Sequence, residues 1–383
     1  MELRTPLCDL LGIRYPILLA GMGGRRNLVV PAELVAAVSN AGGLGVTGLT
    51  DLAPEEIRRS IRRIRELTDK PFGIDLLLPA SLEDLDAGSL DEARRRLERE
   101  YPRHAEFVRK LAEEFDLPQV RSVNQFIMSP RTIREQVEAV LEERVPLFAV
   151  ALGDPGWVVP RARAVGTKVL GLVGSVRHAL RHREAGVDLI VAQGYEAGGH
   201  VGSVGSLVLI PEVVDAVSPT PVVAAGGIVD GRGVAAALAL GAQGAWIGTA
   251  FLLSEECGTF DAHKHAIIEA HTEDFVVTRV YTGKTARDVR NVIIERWERS
   301  GLPPLPMPLQ GILFRDFLAA AEQARRYDLI NNPAGQGGGR LSAVRPAREI
   351  LEGIVRETIE VLEGMPRRVH YARKEPTDVQ VLR

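Results

Sequence analysis

Cysteine is nearly absent from this chain. Cys8 and Cys257 are the only two in 383 residues, too few for a disulfide framework or a cysteine-based metal site. Long hydrophobic runs are also missing, since none approaches the roughly 20 residues of a membrane-spanning helix. Glu2, Arg4 and Asp9 interrupt the stretch where a secretory signal would be apolar. A cytoplasmic protein is expected, with no membrane partner. Nor is there an excess of one charge: the net charge of −3 argues against nucleic acid or an anionic surface as the main partner. Histidine does not gather at metal-ligand spacing. His263, His265 and His271 have no carboxylate or cysteine set to complete a ligand group, and are expected on an exposed helix. His178 and His182 lie beside Arg177, Arg181 and Arg183, and read as a solvated helix face. No metal site is expected.

What is present is ordinary globular composition, 45% hydrophobic and 25% charged, with length for one large barrel or two domains. Short apolar runs recur at residues 16–20, 43–47, 72–78, 147–151, 168–173, 187–193, 221–225 and 244–248. Helical spacing fills most gaps, as at 31–40, 54–67 and 231–240, the last with Asp230 as N-cap. Eight strands alternating with helices predict a parallel α/β fold, a (β/α)8 TIM barrel in one domain. A doubly wound open sheet is the alternative, but no Gly-x-Gly-x-x-Gly follows the first strand.

Two regions depart from the alternation. Residues 79–130 form an insertion after the third strand. Leu90, Ala93, Leu97 and Tyr101, then Phe107, Leu111 and Phe115, predict two helices that Pro102 separates. Such an insertion lies on the catalytic face, as a lid or as a packing or dimer-contact hairpin. Residues 252–383 form a C-terminal helical region packed on the barrel. It holds a proline-rich extended segment at 302–308, a flexible glycine-rich loop at 331–339 and a helix at 350–362.

The chemistry-bearing residues follow the strands. Gln193-Gly194-Tyr195-Glu196-Ala197-Gly198-Gly199-His200 leaves the sixth strand as a glycine loop closed by a histidine, a side chain suited to moving protons near neutral pH. Ala224-Ala225-Gly226-Gly227-Ile228 and Gly244-Ala245-Trp246-Ile247-Gly248-Thr249-Ala250 close the seventh and eighth strands, where barrels often hold a phosphate on backbone N–H groups. Gly21-Met22-Gly23-Gly24 after the first strand and Ser39-Asn40-Ala41-Gly42-Gly43-Leu44-Gly45 before the second would floor a flat aromatic cofactor. Each glycine run alone also reads as turn geometry.

Taken in order with Pro16-Ile17-Leu18-Leu19-Ala20-Gly21-Met22 and Gly248-Thr249-Ala250-Phe251, these segments resemble the nitronate monooxygenase (2-nitropropane dioxygenase) family. Tyr281-Thr282-Gly283-Lys284-Thr285-Ala286-Arg287 resembles a family segment too. The resemblance covers most of the chain outside the insertion. It implies a TIM barrel holding FMN non-covalently, with Gly21, Met22 and Gly23 at the flavin ring, and Gln193, Gly198 and Gly199 along the ribityl chain and phosphate. It further implies Gly226, Gly227, Gly248 and Thr249 at the phosphate, Lys168 facing the flavin or its phosphate, and His200 as catalytic base. The implied reaction oxidises alkyl nitronates with dioxygen to carbonyl compounds and nitrite. The Glu196–His200 element is similar to one in flavin enoyl-reductases and NADH:quinone reductases, which implies NAD(P)H with an enoyl thioester or quinone as the alternative. A homodimer remains open. Asp75 departs from the family, where many relatives carry asparagine; as a cofactor-binding residue it would accept hydrogen bonds when ionised and disfavour an anionic reduced flavin. The tyrosines and lysine towards the C-terminus of well-characterised nitronate oxidisers find no clear match here.

Overall fold

Eight parallel strands form one sheet in the computed structural model, which describes residues 2–23, 29–79, 90–122 and 128–369. They are β1 (Ile17–Leu19), β2 (Gly45–Gly48), β3 (Phe72–Leu77), β4 (Leu147–Ala151), β5 (Lys168–Val173), β6 (Leu189–Gln193), β8 (Val222–Ala225) and β9 (Gly244–Ile247). Strand β7 (Gly199–His200) lies outside this sheet. The sheet order is β1-β9-β8-β6-β5-β4-β3-β2. Leu19 N donates to Leu44 O at 2.9 Å, and Leu44 N to Ile17 O at 3.0 Å, closing β1 onto the approach to β2. The result is the expected TIM barrel.

The runs are continuous in apolar residues because both faces of each strand are buried. Leu18, Val46, Ala149, Leu170, Val191, Val223 and Trp246 fill the inside. Ile17, Ile74, Phe148, Val169, Ile190 and Ala245 alternate with them and pack under the helices. The first helix, Pro6–Leu11, seals the N-terminal end of the barrel with Leu7, Cys8 and Leu11. Asp230 caps the helix Gly231–Ala239 as expected, accepting from Gly233 N at 3.1 Å.

The insertion forms the two expected helices, Leu90–Glu100 and Pro102–Glu114, with Pro102 opening the second; its residues 80–89 and 123–127 lie outside the described residues. Leu90, Ala93 and Leu97 pack on Leu305, Leu309 and Ile312. Val108 and Leu111 join Ile294, Trp297 and Phe314. The rings of Phe107 and Trp297 meet edge to face at 5.4 Å. Neither helix supplies a residue to the cavity at the barrel mouth, and Met128 near the end of the insertion is among its lining residues.

Ala347–Arg368 is one long helix against Gly231–Ala239, longer than the helix expected at 350–362. Gly231 N donates to Glu357 Oε2 at 2.8 Å. A Cβ on Gly231 would lie 2.3 Å from Thr358 N, so glycine is what lets the two helices touch. Gly231→Ala should lower the unfolding free energy by about 1–3 kcal/mol, read as a lower denaturant midpoint; an unchanged midpoint would mean that this helix contact carries little stability.

Candidate active site

A cavity of about 1120 Å³ opens at the C-terminal ends of the barrel strands. Gly21, Met22 and Gly23 reach it after β1, Asp75 and Leu77 from β3, and Gln193 from β6. Gly226 and Gly227 follow β8, and Gly248 and Thr249 follow β9. Gly198, Gly199 and His200 stand on the loop beyond β6. Gly24 lies outside the described residues.

Lys168 does not reach this cavity. It is the first residue of β5, at the opposite end of the barrel, about 16 Å from Val173 by strand rise. Its expected place beside a flavin or phosphate is therefore corrected. The lysine opens the apolar run, and in a parallel strand that means the end away from the site.

His200 is held by three neighbouring elements. Residues Gly199–His200 form β7, which pairs antiparallel with β11 (Ala286–Val289), and β11 pairs with β10 (Phe275–Thr278). This three-stranded sheet lies beyond the barrel and was not expected; two residues are too short for a strand pattern. Val201 N donates to Thr285 O at 3.2 Å. The Gln193 amide donates to His200 O at 2.7 Å, so Gln193 also positions the histidine's backbone. His200 Nε2 lies 3.3 Å from the Thr282 hydroxyl.

The loop ahead of His200 is clamped from both sides. The Glu196 carboxylate accepts from Ser206 N at 3.0 Å and from Ser206 Oγ at 2.8 Å. Arg287, 1% exposed, donates to the carbonyls of Ala197, Tyr195 and Phe275 at 3.2, 2.8 and 2.6 Å. Its guanidinium carbon sits 4.5 Å from the centre of the Tyr195 ring.

Gly226 and Gly227 take positive φ of 104° and 71°, where a side chain would be strained. The backbone N–H groups of Gly226, Gly227 and Gly248 donate to no backbone acceptor among the described residues. Thr249 Oγ1 accepts from Gly335 N at 2.9 Å, leaving its own proton to donate. Three uncommitted amides and a hydroxyl at two adjacent strand ends fit an anionic group.

Several lining residues carried little signal in the sequence. Asp288 of β11 is 2% exposed, and its Oδ1 is sealed without a hydrogen bond. Burial pushes its carboxyl up to about 7. His263, expected on an exposed helix, is 5% exposed and lines the cavity. Its Nδ1 pairs with the Thr259 hydroxyl at 2.8 Å, and burial pushes its pKa down to about 4. His182 is also buried, beneath exposed Arg181 and Arg183. It packs where Gly171 has no Cβ, with Nε2 3.0 Å from Gly153 O. The segment 331–339, expected to be flexible, is a wall of the cavity tied by Gln336 N to Glu196 O at 2.9 Å.

The family model for nitronate monooxygenase matches residues 4–357. The chain belongs to the nitronate monooxygenase family. It is 39% identical over 384 residues to Rv1533 of Mycobacterium tuberculosis, covering 96% of this chain and 100% of that one. It is 34% identical over 378 residues to the "Probable nitronate monooxygenase" of Staphylococcus aureus, covering 94% and 99%. Among solved structures, nitroalkane oxidase of Streptomyces ansochromogenes superposes with a TM-score of 0.79 at 29% identity, covering 94% and 99%. FabK of Thermotoga maritima superposes at 0.75 with 30% identity, covering 96% and 100%. Membership makes this protein a flavin-dependent oxidoreductase. No helix among the described residues is long and apolar enough to cross a membrane.

Arg287→Met would leave three carbonyls without their donor and should lower the unfolding free energy by about 3–5 kcal/mol. Denaturant unfolding checks this; a loss under about 1 kcal/mol would show that the clamp is dispensable.

Proposed function

We propose that the protein binds FMN at the barrel mouth and oxidises alkyl nitronates with dioxygen, giving carbonyl compounds and nitrite. The supporting observation is the meeting of uncommitted glycine amides and His200 in one cavity. The amides of Gly226, Gly227 and Gly248, with the Thr249 hydroxyl, would take the phosphate. Gly198 and Gly199 would lie along the ribityl chain. Gly21, Met22 and Gly23 would lie under the ring; a Cβ on Gly248 would come 3.3 Å from Met22 Sδ, so the ends of β1 and β9 meet beneath that place. Bound there, FMN supplies the electron and oxygen chemistry.

The protein's part is binding, orientation and one proton. The Thr282 hydroxyl and the β7–β11 pairing hold the imidazole in place, and His200 takes the proton from the carbon next to a neutral nitro group. A nitronate arrives without that proton and needs only a hydrogen bond from the same ring. This reading places the work in a cytoplasmic enzyme with a small-molecule substrate.

A second reading rests on cavity size and on the likeness to FabK. Its volume of about 1120 Å³ exceeds the roughly 300–1,000 Å³ of most small-molecule sites, leaving room for NAD(P)H or for an enoyl thioester or quinone. In that reading the same residues hold the flavin, and His200 serves a reductase.

His200→Asn should retain the flavin and slow turnover of a neutral nitroalkane about 10²-fold or more, while turnover of the preformed nitronate falls far less. Steady-state kinetics on both forms reads the difference. Equal losses on the two would remove His200 as the base.

A further inference from the structure

Asp75 is the one acidic side chain of the eight barrel strands that faces the cavity among the described residues. Its neighbours Ile74 and Leu76 point outward into the shell under the helices, so strand alternation turns Asp75 and Leu77 inward. The residue is 4% exposed, and its Oδ1 is sealed without a hydrogen bond. The strands on either side set Gly48 and Ala149 beside it, and neither side chain can donate. From the loop after β1, Gly21 comes so close that a Cβ there would lie 2.3 Å from Asp75 Cβ and 2.5 Å from Oδ2. The loops after β2 and β4 carry Asp51 and Asp154 to the same cavity, charges of the same sign. The cavity's cations Arg181, Arg279 and Lys284, and His200 with them, make no ion pair with Asp75.

A carboxylate buried without a donor or cation carries a desolvation cost that nothing offsets, and such a group keeps its proton instead. We propose that Asp75 works as a protonated carboxylic acid that donates a hydrogen bond to the flavin ring, and that loss of this proton makes the flavin harder to reduce. The inference rests on the flavin occupying the barrel mouth. Burial pushes the carboxyl up to about 8. Below that pH the acid donates to a ring nitrogen or carbonyl; above it the group only accepts, and its charge opposes electrons added to the ring. Asparagine at this position would offer an N–H at every pH. Aspartate offers its O–H only on the acid side, and so adds a pH dependence.

Two readouts test this in the whole protein, with Asp75→Asn and Asp75→Ser as variants. In the flavin-loaded enzyme the midpoint potential is followed from about pH 6 to about pH 10 by spectroelectrochemistry. The wild-type potential should fall more steeply above about pH 8, and both variants should follow a line without that break. In the flavin-free protein, stability is compared from about pH 5 to about pH 9. The folded acid holds its proton to about 8, while the unfolded one loses it near 4. Wild-type stability should therefore decline relative to Asp75→Asn as pH rises through that window. A wild-type potential without a break, or a break that persists in both variants, overturns the proposal. If the protein takes up no flavin, the reading of the cavity fails instead, and the stability comparison still reports whether Asp75 is a buried neutral acid.

Discussion

A buried guanidinium clamps one side of the loop that leads to His200. Arg287 is sealed from water and spends its donors on three carbonyls, two from the loop after β6 and one from β10. Burying that charge is costly, and the cost is met only where all three carbonyls and the Tyr195 face are in position. The loop has little else of its own. It is rich in glycine, and its regular structure is the two residues of β7. Its shape is borrowed from Arg287 on one side and from the Glu196–Ser206 contacts on the other. His200 stands at the end of this borrowed geometry.

The site is therefore not a property of the barrel alone. The barrel supplies the strand ends, with the uncommitted amides after β8 and β9 and the buried acid on β3. The C-terminal region supplies Thr282, which touches the imidazole, and Gly335, which engages Thr249. It also brings Asp288 and His263 to the wall. The insertion helices bury their apolar faces on this same region, against the helix Leu309–Gln323 and the cluster around Trp297.

Much of this could be read in the sequence, and the physics explains which part. Parallel strands buried on both faces are unbroken apolar runs, so all eight barrel strands stood out, and Pro102 marked the break between the insertion helices. The glycine runs marked strand ends. Direction along a strand was harder to judge: Lys168 looked like a core cation near the site, yet it opens β5 and faces the other end. Burial of single polar residues was hidden as well. Arg181 and Arg183 disguised His182, which is buried because Gly171 opposite has no side chain. Nothing near Asp288 or His263 signalled that distant segments would close over them, since such burial comes from tertiary contacts far apart in the chain.

The most direct measurement is anaerobic reduction of the bound flavin. The purified protein, reconstituted with FMN, would be mixed separately with a simple alkyl nitronate, NADH and NADPH while the flavin absorption band is followed. The account predicts fast bleaching by the nitronate and slow bleaching by either nicotinamide. Fast bleaching by NADH or NADPH with none by the nitronate would contradict it and assign the site to a reductase.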